Sequence, residues 1–116
     1  MLYRPKITYL LDDIGGIFNI SNYTKNYLAY KYKLRKKDVL QLDELVETYM
    51  LSYKKHDIID EGLNKKVAYV LYKNSIQTTY DIEEAHRYHY LFYIKGLTKN
   101  MKKDIIYLLE NKWLYI

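Results

Sequence analysis

The chain has 116 residues, no cysteine, and 19 lysines and arginines against 14 aspartates and glutamates, for a formal charge of +5. That length suits one domain (residues 1–116) with one core, and the missing thiols exclude disulfides, zinc fingers and iron–sulfur centres. No apolar run approaches the roughly 20 residues of a membrane span. Asp12 and Asp13 cut off the first apolar stretch too early for a signal peptide, so a soluble, cytoplasmic protein with no membrane partner is expected.

In chain order, residues 1–19 start extended or as a short helix, with Pro5 at an entry position and Gly15-Gly16 as a turn. That glycine pair lacks the spacing and the Lys-Ser/Thr ending of a phosphate loop. Ser21 or Asn22 can cap a helix from Tyr23 that lines up Tyr23, Tyr27, Tyr30 and Leu34. Residues 28–35 also alternate large apolar and mostly basic side chains, which is the period of a half-buried strand. Helix is slightly favoured. As a strand, the stretch would project Lys31, Lys33 and Arg35 as a comb, continued by Lys36 and Lys37. Such a comb could follow a nucleic-acid backbone, or simply protect an edge from aggregation.

Asp38 and Gln41 resemble a capping box and predict a helix there. Its expected buried face is Val39, Leu42, Leu45, Val46, Tyr49, Met50 and Tyr53, with Asp43, Glu44 and Glu47 opposite and Lys54 and Lys55 at its C-terminal end. Residues 57–62 form a turn. Residues 64–73 then read as a short helix, although their β-branched residues leave a strand open.

The stretch from Thr79 to Ile116 reads as helix, short Gly-containing turn, second amphipathic helix and short extended end. Thr98 can cap the second helix, Lys99 to Asn111, whose stripe is Met101, Ile105, Leu108, Leu109 and Trp113. Lys99, Asn100, Lys103, Tyr107 and Glu110 then face outward. Lys99, Lys102 and Lys103 occupy the first turns, where the helix dipole disfavours cations. Phosphate contact would explain that placement, and so would an ordinary solvated lysine face. The outline is that of a helix-turn-helix in a basic protein.

Tyrosine supplies 16 residues, against two phenylalanines and one tryptophan, so some rings should lie at the surface. The groups Tyr27/Tyr30/Tyr32 and Tyr88/Tyr90/Tyr93, interleaved with cations, suit base stacking or a protein interface. For any single ring, a place in the core with its hydroxyl at the rim is the plainer account. Abundant Lys, Ile, Tyr and Asn also fit an AT-rich genome, such as that of a virus or mobile element.

Glu83, His86, Glu84 and His89 contain one E-x-x-H step, where di-metal carboxylate proteins need two plus further glutamates. His56, Asp57, Asp60 and Glu61 share no frame with it. Neither a metal nor a cofactor is expected, and no catalytic motif argues for an enzyme. A metal nuclease relying on His86 or Glu83 is the least favoured alternative.

The expected fold is mostly α, a single-domain bundle of four to six helices with a C-terminal helix-turn-helix-like pair and room for a small winged-helix β-hairpin. The expected function is a DNA-binding regulator, with RNA as a further option and a homodimer as the assembly. Lys99, Asn100, Lys102 and Lys103 would contact the nucleic acid, and Arg87 with Lys31, Lys33, Arg35, Lys36 and Lys37 would add backbone contacts. The alternative is a non-enzymatic interaction module that inhibits a host factor through exposed tyrosines.

Overall fold

Helix α1 begins where Pro5 follows Arg4, because proline's fixed φ and missing N–H suit the first helical turn. The computed structural model describes residues 2–113, so most of the short extended end expected after Asn111 lies outside the described residues. The chain is mostly helical and divides into two compact units, one ending at Lys55 and the other starting at His56.

The first unit contains α1 (Pro5–Asp13), a 3-10 segment (Ile17–Asn22), α2 (Lys25–Lys31) and α3 (Lys36–Thr48). Helix α2 starts two residues later than expected. Thr24, not Ser21 or Asn22, is its cap, and the Thr24 hydroxyl accepts the Tyr27 N–H at 3.1 Å. Residues 28–35 form no strand. Tyr27, Leu28 and Tyr32 are buried together at helical spacing, and no partner strand exists among the described residues.

Asp38 is not the cap of α3 but its third residue. The helix starts at Lys36, and the Asp38 carboxylate reaches back to accept the Arg35 N–H at 2.9 Å. Leu42, Leu45 and Val46 are buried as expected, while Tyr49 and Met50 are exposed because the helix has already stopped at Thr48. Lys54 and Lys55 therefore lie beyond the helix end and not in its last turn.

The second unit contains α4 (Lys65–Lys73), α5 (Thr79–Arg87), a 3-10 segment (Leu91–Tyr93) and α6 (Lys99–Asn111). Asn64 and Thr78 cap α4 and α5, and Asp81 completes a capping box with Thr78. Among the described residues the only strand-like pairing is an isolated antiparallel bridge between Asp57 and Thr78, so the winged-helix hairpin is not part of this fold.

Four helices end in the same way without glycine. Lys33, Met50, Ser75 and His89 adopt left-handed φ of 51°, 54°, 62° and 62°. The N–H of the following residue then bonds five residues back, as in Leu34 to Ala29 and Ile76 to Leu71, both at 3.0 Å. Two short interhelical turns result, residues 32–35 and residues 74–78.

Candidate nucleic-acid interface

The structure distributes the predicted cations over both units. The Lys31–Lys37 run lies at the α2–α3 turn of the first unit, whereas Arg87, Lys99, Asn100, Lys102 and Lys103 belong to the second.

In the first unit, Lys31 ends α2, Lys33 is the left-handed turn residue, Arg35 precedes α3, and Lys36 and Lys37 open it. All five side chains are exposed, and none forms an ion pair among the described residues. Two helices joined by only four residues have the connection length of a helix-turn-helix. Lys6 is not recognisable from sequence. Its ammonium donates to the Lys33 carbonyl at 2.5 Å and holds the turn from α1. Pro5, Lys6, Tyr9, Lys31, Tyr32 and Lys33 line a shallow cleft of about 320 Å³ beside it. The Lys31 ammonium lies 5.5 Å from the centre of the Tyr32 ring, whose hydroxyl donates to Asp13 at 2.5 Å. Burial and the Asp13 carboxylate push the Tyr32 phenol well above its ordinary pKa, so it remains a neutral donor.

Asp38 anchors this surface from behind. Its other carboxylate oxygen accepts the Arg4 Nε–H at 2.5 Å, and these donors hold its pKa below the ordinary aspartate value. The side chain is only 3 % exposed, so the negative charge is withdrawn from the face that Lys36 and Lys37 present.

In the second unit, α6 has the expected bounds, and the Thr98 hydroxyl accepts the Met101 N–H at 3.3 Å. Ile105, Leu109 and Trp113 are buried, with Met101 and Leu108 half-buried, so the expected stripe forms. The helix-turn-helix expected for α5 and α6 does not form. Their connection is eleven residues, 88–98, because α5 stops at Arg87, Leu91 is buried within a 3-10 segment and Gly96 turns at φ 95°.

Instead, α6 forms one side of an open groove. Phe92, Lys99, Lys102, Lys103, Ile106, Tyr107 and Glu110 line about 430 Å³, and Lys102 Nζ lies 5.9 Å from the Phe92 ring centre. Phe92 and Ile106 are not among the residues that the sequence pattern predicts for the site. Asn100 is exposed on the same first turn but does not line the groove.

Arg87 donates to Glu83 at 2.9 Å in an exposed pair that offsets its charge. Glu83 is therefore paired with Arg87, and both His86 and His89 are exposed. His56 faces Glu61 at 3.3 Å and meets the Tyr80 ring edge-on. Among the described residues, no three His, Asp or Glu side chains gather as metal ligands would. None of the helices is long and apolar enough to cross a membrane among the described residues. Neither a protein-family model, nor a curated protein, nor a solved structure matches the chain.

Proposed function

We propose that this protein binds nucleic acid and docks double-stranded DNA on the α2–turn–α3 surface. The observation that supports this most is the exposed Lys31–Lys37 run at a four-residue turn, with no acidic partner for its five cations among the described residues. Lys36 and Lys37 stand in the first turn of α3, where the backbone N–H groups add positive potential. In helix-turn-helix proteins, the N-terminal residues of the second helix approach the groove. Glu44 and Glu47, further along α3, would remain outside it. The α4–α5 turn is a poorer candidate, since the early part of α5 exposes Glu83 and Glu84 and carries no cation before Arg87 other than His86. A-form RNA has a deep, narrow major groove closed to side chains, so DNA is the favoured duplex. A homodimer belongs to the same proposal because such proteins commonly pair on two half-sites, and sedimentation at several concentrations tests it.

The test is fluorescence anisotropy with labelled random duplex DNA at three salt concentrations. Wild type should bind with a Kd of about 1–100 μM and weaken linearly on a log–log plot of affinity against salt. Lys36→Gln/Lys37→Gln should flatten the slope by about 2, roughly 0.9 for each phosphate no longer neutralised. An unchanged slope in a folded variant rules this surface out.

A second reading rests on the exposed rings: Tyr9 is 63 % exposed, Tyr88 65 % and Tyr93 84 %. These could anchor a host protein, since tyrosine supplies rigid contact area at interfaces. Such binding would weaken far less with salt and would survive loss of Lys36 and Lys37.

A further inference from the structure

We infer that the groove along α6 is a separate site for single-stranded nucleic acid, stacking a base on an exposed ring and holding the flanking phosphates with lysines. The inference goes beyond the duplex proposal, involves a different unit, and does not depend on it.

The floor is apolar and aromatic, formed by Phe92, Ile106 and Tyr107, and the two rings are 49 % and 65 % exposed. Lys99, Lys102 and Lys103 stand around it, with Glu110 as the single acid. Exposed rings beside cations satisfy both needs of a single strand, a stacking surface for a base and positive charge for the backbone. The lysines add to the positive end of α6, whose first turn has no acidic residue. An anion entering there would relieve their mutual repulsion. Lys102 already covers the Phe92 face at 5.9 Å; a base stacking on that ring would displace the ammonium toward a phosphate.

An acidic helical peptide fits less well. Such a ligand needs a furrow long enough for anchors at i, i+4 and i+7, about 10 Å at 1.5 Å per residue, with walls on both sides. Here one helix supplies every lining residue except Phe92.

The test uses the full chain and three labelled probes in low salt: a thymidine oligonucleotide, an abasic oligonucleotide of equal length, and an acidic amphipathic peptide. Phe92→Leu/Tyr107→Leu removes the rings but keeps apolar volume, and Lys99→Gln/Lys102→Gln/Lys103→Gln removes the charges. Circular dichroism verifies that both remain folded. Stacking predicts that the abasic strand binds about tenfold or more weakly than the thymidine strand. It also predicts that either variant loses a similar factor for thymidine and leaves any duplex binding unchanged. Equal affinity for both strands, or thymidine binding unaffected by the ring variant, overturns the proposal. Peptide binding that depends on the lysines, without thymidine binding, overturns it in favour of a protein groove. Because the duplex surface is tested with Lys36 and Lys37, failure of one site is distinguishable from failure of the other.

Discussion

The Tyr72 hydroxyl lies 2.8 and 2.7 Å from the two carboxylate oxygens of Asp57, with both residues 2 % exposed. Asp57 also accepts the Ile59 N–H at 2.8 Å, so one buried carboxylate ties helix α4 to the turn that precedes it. Tyr72→Phe would take the hydroxyl donor away from that carboxylate. The expected loss is about 1–3 kcal/mol, measured by urea unfolding against wild type.

Alkaline unfolding should follow from the same chemistry. Burial, and then the carboxylate each hydroxyl faces, pushes Tyr72, Tyr53 and Tyr32 above the ordinary tyrosine pKa. A group whose pKa is raised by folding contributes stability that is fully present below its unfolded value. That contribution is lost as pH rises toward the folded value. Stability should therefore decline above about pH 10. Ultraviolet titration should show these phenols ionising only with unfolding; their smooth ionisation in a protein with native circular dichroism would contradict the prediction.

At the acid end, Asp38 acts with the opposite sign. The Arg35 N–H, followed by Arg4, lowers its pKa in the folded state. Its contribution is present above the unfolded aspartate pKa and is lost as pH falls through the folded one. Asp38→Asn should thus cost stability at neutral pH, and the gap from wild type should narrow on acidification. Thermal melts from neutral to strongly acidic pH would show the two curves converging.

Met50→Gly should stabilise the first unit. Met50 holds φ 54° while 92 % exposed, so glycine relieves backbone strain and removes little packing. A gain of about 0.5–1 kcal/mol is expected after the added freedom of the unfolded chain is set against the relief. Chemical denaturation measures it, and a loss would mean that the Met50 side chain packs more than its exposure indicates.

Gly96→Ala should act in the other direction. The residue has φ 95°, and an added Cβ would lie 3.2 Å from Val70 Cγ1. A loss of about 1–2 kcal/mol is expected from the left-handed backbone alone, read by the same denaturation assay.

The limits of sequence reading are visible in single residues. Helix α6 is legible to its bounds because Thr98 is a good cap and its stripe repeats at helical period. The start of α3 reads three residues late because an aspartate inside the first turn resembles an aspartate at the cap. Sequence points to a tight turn beside Gly96, although the short turns are the ones that contain Lys33 and Ser75. Glycine is the usual signal for a left-handed stop, and lysine or serine in that role carries none. Phe92 and Lys6 escape the sequence for another reason. Each meets its partners across the chain, Phe92 beside Lys102 and Lys6 on the Lys33 carbonyl, and no local pattern encodes such a meeting.

Lys33 combines two demands at one position, since its backbone terminates α2 and its side chain belongs to the basic run. In a saturation library, arginine should retain both properties, asparagine and glycine should keep the turn but drop the charge, and valine, isoleucine or threonine should lose the turn itself. Lysine and asparagine codons are one base apart. A single-nucleotide change from lysine to asparagine would therefore lower the charge of this surface while leaving the left-handed turn intact.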